Sequence, residues 1–222
     1  GRMGGWIVTL VPRLKSMQSS PSIPPPRRPR RLCLFGGSFD PVHLGHTTIA
    51  TAAYARCGLE RVIFIPAWQS PHKQDQNRPA APAHRLAMLR LAVAALPWAA
   101  VDTWEIDRGG PSYSWQTAEH AARLAGSDTE LCWLLGADQW AVLHTWARPE
   151  ILADLLTFIV FPRGPEPILP RPGFRHEVVD VRHPASSTDV RAAVYAGRSL
   201  KGLVAPAVAA YIREHGVYGA GR

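Results

Sequence analysis

From residue 32 onward, short apolar runs alternate with helical patterns to the end of the chain. Residues 32–35 form an apolar run that enters Gly36-Gly37, and residues 44–57 read as an Ala-rich helix closed by Gly58. Residues 62–65 predict a strand stopped by Pro66, and residues 82–96 an Ala/Leu helix with Pro at its start. Further strands are predicted over 100–103, 131–135, 157–161 and 177–181, and helices over 115–124, 150–155, 188–196 and 206–215. Strands of four or five mostly apolar residues separated by helices predict an α/β fold, with a parallel sheet buried on both faces. Ligands of such sheets bind at the carboxyl ends of the strands.

Composition adds limits rather than a function. Of 222 residues, 46% are hydrophobic and 19% charged, an ordinary globular balance. No apolar run approaches the roughly 20 residues that span a bilayer. Cys33, Cys57 and Cys132 form no CxxC pair, which gives no disulfide framework or zinc signature and predicts a soluble, cytoplasmic protein. The net charge of +8 suggests nucleic acid until its location is read. Seven basic residues and no acid lie in residues 1–31, leaving 18 basic and 17 acidic side chains in the rest. The folded part therefore carries no nucleic-acid or membrane footprint. Residues 1–31 hold a Pro/Ser stretch before an arginine cluster and predict a disordered extension. The domain is expected over 32–218, with a flexible end at 219–222.

Chemistry concentrates in Gly36-Gly37-Ser38-Phe39-Asp40-Pro41-Val42-His43-Leu44-Gly45-His46. A strand enters a double glycine, where the backbone can approach a ligand, and a helix start follows, where N–H groups and the dipole favour anions. His43 and His46 are three apart on that first turn, two donors suited to charge gathering on phosphate oxygens. The segment is neither a Walker A nor a GxGxxG loop. A metal pair and two solvated surface histidines remain as plainer readings of the same spacing, though no third ligand is placed. At residues 186–191, Ser187 and Thr188 are N-cap candidates with Arg191 in the first helical turn, a second anion site able to grip two phosphate oxygens.

The first segment resembles the signature of the HxGH nucleotidyltransferases, in the form found in bacterial nicotinate-nucleotide adenylyltransferases. Ser186-Ser187-Thr188-Asp189-Val190-Arg191 resembles that family's ISSTxxR motif, with Ala185 where Ile is common. Ser70-Pro71-His72-Lys73 resembles its PPHK loop, Pro111-Ser112-Tyr113-Ser114 its PSYT segment, and Gly136-Ala137-Asp138 its GxD turn. The resemblance spans about residues 32–218 and implies a Rossmann-like doubly wound parallel sheet with helices on both faces, the nucleotidyltransferase fold. It implies transfer of the adenylyl group of ATP to nicotinate mononucleotide, giving deamido-NAD and pyrophosphate in NAD biosynthesis, with Mg²⁺ accompanying ATP. His43 and His46 are implied as catalytic, and Gly36, Gly37, Ser38, Phe39, Gly136, Asp138, Ser187, Thr188 and Arg191 as further ATP contacts. His72, Lys73, Tyr113, Ser114 and Trp146 are implied for the mononucleotide, Trp146 by stacking on the pyridine ring. The 111–114 turn offers N–H groups and a hydroxyl without an acidic side chain, which suits a carboxylate over an amide.

Three rivals stay open at this point. Phosphopantetheine or nicotinamide mononucleotide could replace the acid substrate, although phosphopantetheine enzymes are typically shorter and lack the double-glycine and SSTxxR combination. Aminoacyl-tRNA synthetases of the HIGH type need a KMSKS-like loop, which is absent here. A nucleotide-binding regulator with an idle site is the non-enzymatic reading, against intact His43, His46 and Arg191. A homo-oligomer is compatible with the sequence.

Overall fold

The computed structural model describes residues 29–68 and 79–219. Six parallel strands form one sheet: Arg30–Gly37 (β1), Arg61–Pro66 (β2), Ala99–Val101 (β3), Thr129–Gly136 (β4), Leu156–Phe161 (β5) and Arg175–Val178 (β6). Their order across the sheet is β3-β2-β1-β4-β5-β6, the doubly wound arrangement whose direction reverses between β1 and β4. The helices are Leu44–Arg56 (α1), Pro82–Val93 (α2), Trp104–Arg108 (α3), Ser114–Ala125 (α4), Ala137–Val142 (α5), Pro149–Leu155 (α6), Ser187–Tyr195 (α7) and Pro206–Glu214 (α8). None of the described helices is long and apolar enough to cross a membrane.

The period of two along the strands divides the core into two layers. Cys33, Phe35, Phe64, Leu134 and Ile159 face one side, where Ile49, Met88, Val190 and Ile212 of α1, α2, α7 and α8 cover them. Leu34, Ile65, Trp133, Leu135 and Phe158 face the other, under Ala118, Trp140 and Leu152 of α4, α5 and α6. Both faces are apolar, as the continuous runs require.

The boundaries differ from expectation in several places. Arg30 and Arg31, assigned by sequence to the extension, are the first two residues of β1. Arg31 reaches Glu130 at 2.9 Å and Glu177 at 2.5 Å and also donates to the Cys57 carbonyl, so charge that looks like a tail pins strand ends together. The sixth strand lies at 175–178 rather than 177–181: it is an edge strand, and polar Arg175, His176 and Glu177 suffice to pair with β5. The second helix stops at Val93, where a turn from the Leu96 N–H to the Val93 carbonyl follows. Gly219 closes a short 3-10 turn, Val217–Gly219, instead of opening a flexible end. Most of the 1–31 extension, the 70–73 loop and residues 220–222 lie outside the described residues.

Candidate active site

A cavity of about 460 Å³ opens where the sheet order reverses, at the carboxyl ends of β1, β4 and β5. The loop after β1 forms its floor, and the glycines there answer to close packing. A Cβ on Gly36 would stand 2.9 Å from the Trp133 ring, and one on Gly37 3.2 Å from the Phe39 ring. Phe39 takes φ 46°, a left-handed conformation rare for an aromatic residue. That turn buries its ring to 2% exposure beneath Gly37 and edge-on to His46 at 5.0 Å.

His43 is the N-cap of α1 in extended conformation. Its N–H donates to Nδ1 of His46 at 3.2 Å, so the neutral His46 ring carries its proton on Nε2. The two rings lie 3.7 Å apart. Gly45 makes this possible, because a Cβ there would fall 2.8 Å from the His43 ring. The His43 side chain is buried, and among the described residues its Nδ1 has no hydrogen-bond partner. Burial, helped by the charge of Arg163, pushes its pKa down to about 4. His43 is neutral at pH 7.

The opposite wall belongs to β4 and β5. Asp138 is the second residue of α5, two after Gly136, and Arg163 follows β5 with its guanidinium 5.0 Å above the Phe161 ring. Arg163 Nε stands 3.6 Å from Asp138 Oδ1, and both side chains lie over Gly136, where a Cβ would meet each within 2.7 Å. The pair is about half exposed and of little energetic consequence, so incoming ligand groups can part it. At the far end Ser112, Tyr113, Ser114 and Trp146 line the cavity. Trp146 packs edge-on against Trp133 at 6.5 Å, and the Ser112 hydroxyl receives the Trp68 N–H. An acidic side chain does stand at this end: Glu105 of α3, 5% exposed, lines the wall and accepts the Thr117 hydroxyl.

Gly36, Gly37, Ser38, Phe39, His46, Tyr113, Ser114, Gly136, Asp138, Trp146 and Ser187 thus meet around one cavity. His43 sits behind His46. Thr188 and Arg191 do not form its wall: Arg191 Nη1 donates to the Asp40 carbonyl at 2.7 Å and Nη2 to the Thr188 hydroxyl. In this geometry Arg191 braces the β1–α1 loop rather than presenting a fork to the cavity. The cap of α7 is Ser186, whose Oγ accepts the Asp189 N–H at 3.1 Å, not Ser187 or Thr188. Ser187 instead donates to the Pro41 carbonyl at 3.0 Å. His72 and Lys73 lie outside the described residues. Sequence reading missed Arg163 and Glu105. The position of Arg163 just past a strand end was the available signal for it; Glu105 left none.

Fold and cavity together define a doubly wound nucleotide-binding transferase, and the cytidylyltransferase-like family model matches residues 34–193. A Thermus thermophilus protein named probable nicotinate-nucleotide adenylyltransferase is 41% identical over 85% of this chain and 99% of its own length. A Lactiplantibacillus plantarum protein of the same name is 35% identical over 85% of this chain and 88% of its own. This chain belongs to the nicotinate-nucleotide adenylyltransferase family within the cytidylyltransferase-like class. Plasmodium falciparum nicotinic acid mononucleotide adenylyltransferase, solved in complex with NaAD, shares the fold with TM-score 0.69 at 15% identity, covering 85% of this chain and 97% of that one.

Proposed function

We propose that the protein transfers the adenylyl group of ATP to nicotinate mononucleotide, yielding deamido-NAD and pyrophosphate in the cytoplasm. The observation that carries this reading is that a glycine loop and His46 at one end of the cavity face Trp146 and the 111–114 turn at the other. That span suits a triphosphate at one end and a pyridine ring at the other. A 5′-phosphate oxygen of the mononucleotide attacks the α-phosphorus of ATP in line. The bond from that phosphorus to the bridging oxygen breaks, and pyrophosphate leaves with the electron pair. The attacking phosphate is already ionised near neutral pH, so positioning and charge stabilisation are the enzyme's task.

His46 donates from Nε2 to phosphate oxygens as charge builds, and the loop N–H groups of residues 36–38 add donors that need no reorganisation. His43 fixes the His46 ring. A triphosphate bound in front of His46 would draw the depressed His43 pKa upward, which strengthens the site only once ATP is present. Asp138 would take ribose hydroxyls when Arg163 swings to phosphate. Among the described residues no three His, Cys, Asp or Glu side chains come together, and Asp138 and Glu105 alone are too few donors for a protein-held ion. Mg²⁺ therefore enters as part of the substrate MgATP, and no step is assigned to an ion held by the protein.

The test is pyrophosphate release from ATP with the acid and the amide mononucleotide in parallel. Trp146 treats both rings alike, so discrimination falls to the 111–114 turn, whose N–H groups and Ser114 hydroxyl match a carboxylate. An amide there leaves a donor facing a donor, at about 1–3 kcal/mol per unpaired group. At least about a tenfold preference for the acid in kcat/KM is expected. His46→Ala should lower kcat far more than it raises the KM for ATP. No turnover with either mononucleotide overturns the reading, and equal efficiency removes its acid specificity.

A further inference from the structure

Phe39 holds a strained backbone in the middle of the phosphate-facing loop, and a single strained residue persists only where its neighbours are fixed. Here both are. On one side, Arg85 of α2 is 2% exposed and donates Nη1 to the Ser38 carbonyl at 2.7 Å. Its Nε reaches the Ala80 carbonyl at 3.0 Å and its Nη2 the Trp68 carbonyl at 3.0 Å. On the other side, Asp40 is 8% exposed, and its Oδ1 receives the Tyr218 hydroxyl at 2.7 Å and the Ala80 N–H at 3.0 Å. Arg191 holds the Asp40 carbonyl. Tyr218 itself stands at φ 60°, a second strained position, and burial beside the Asp40 carboxylate keeps its phenol protonated as a donor.

We propose that Arg85 and Tyr218 are positioning residues for adenylyl transfer: from α2 and from the turn after α8 they clamp residues 38–40, and so set the loop N–H groups and, through Phe39, the His46 ring. The inference rests on the reaction proposed above. Neither side chain lines the cavity, so both act through the loop. Their effects are nevertheless distinguishable. Tyr218 touches only the Asp40 side of the clamp. Arg85 also holds Trp68, whose N–H donates to Ser112 at the pyridine end. Arg85 thereby joins the two ends of the cavity, and Tyr218 serves one.

The experiment is steady-state pyrophosphate release by wild type, Tyr218→Phe and Arg85→Lys, with melting temperatures measured alongside. Turnover by the wild type establishes the underlying reaction independently of the variants. Tyr218→Phe removes one oxygen and should lower kcat about tenfold, with the mononucleotide KM within twofold and the fold intact, since small misplacements of reacting groups cost large factors in rate. Arg85→Lys keeps the charge but loses the fork, so it should lower kcat and also raise the mononucleotide KM severalfold. Wild-type kcat in Tyr218→Phe overturns the proposal, and so does a rate loss that merely follows the unfolded fraction. If Arg85→Lys does not fold, the Tyr218→Phe result alone decides.

Discussion

His43 shows how one spacing in the sequence carries two separate constraints. Its N–H fixes the tautomer of His46, while its own ring is buried against Gly45 with a pKa pushed down to about 4. An unfolded histidine titrates near 6.5, so between about pH 4 and 6.5 the unfolded chain binds more protons than the native one. Stability from this residue is complete above pH 6.5 and lost as pH falls toward 4, on the order of 3 kcal/mol in all. Urea unfolding at pH 7.5 and 4.5 should therefore show a steeper acid loss for the wild type than for His43→Asn. Parallel losses in the two proteins would contradict the buried, neutral state of this ring. The residues of the β1–α1 loop were legible because they are contiguous and chemically unusual. Arg85, Glu105 and Tyr218 were not, since each reaches the site or its bracing from a distant segment with no local pattern to mark it, and Arg163 had only its place after a strand end.

Elements announced themselves where breakers framed them. Gly58 after α1, Pro82 at the start of α2 and Gly136 at the end of β4 fixed those boundaries to within about three residues. Helices α3 and α5, with five and six residues, are too short for a 3.6-residue period to show. The cap of α7 was read one residue late because three hydroxyl residues in succession could each serve. Geometry separates them: Ser186 caps, Ser187 holds Pro41, and Thr188 accepts from Arg191. Ser186→Ala should cost about 1 kcal/mol of stability, measured by denaturant midpoint, because it strips the acceptor of the Asp189 N–H. Ser187→Ala, which leaves that cap intact, should keep α7 stable. The reverse ranking would move the cap back to Ser187.

At the scale of the molecule, the sheet separates stability from chemistry along its strands. The cavity occupies the carboxyl ends, while Arg31 works at the amino ends, tying β1 to Glu130 of β4 and Glu177 of β6 and to the carbonyl of Cys57 after α1. Its side chain is only 17% exposed while Glu130 and Glu177 are 35% and 40% exposed, so its loss removes a partly buried three-way tie whose carboxylates still reach water. Arg30 differs: its paired contact with Glu60 is exposed on both sides and contributes little. Residues 1–28 carry no motif of the site, and their apolar run at 6–11 is separated from β1 by the Pro/Ser stretch. Two truncations that differ by three residues should therefore part company. Removing 1–28 should leave melting temperature and turnover at wild-type values, whereas removing 1–31 should lower the melting temperature by roughly 4–8 °C, on about 2 kcal/mol from the lost Arg31 network. Turnover at 25 °C should survive both cuts, because the site lies at the other end of the sheet. A loss of turnover in the shorter truncation would instead assign the basic extension a place at the cavity, and equal melting temperatures would show that the strand ends hold without Arg31.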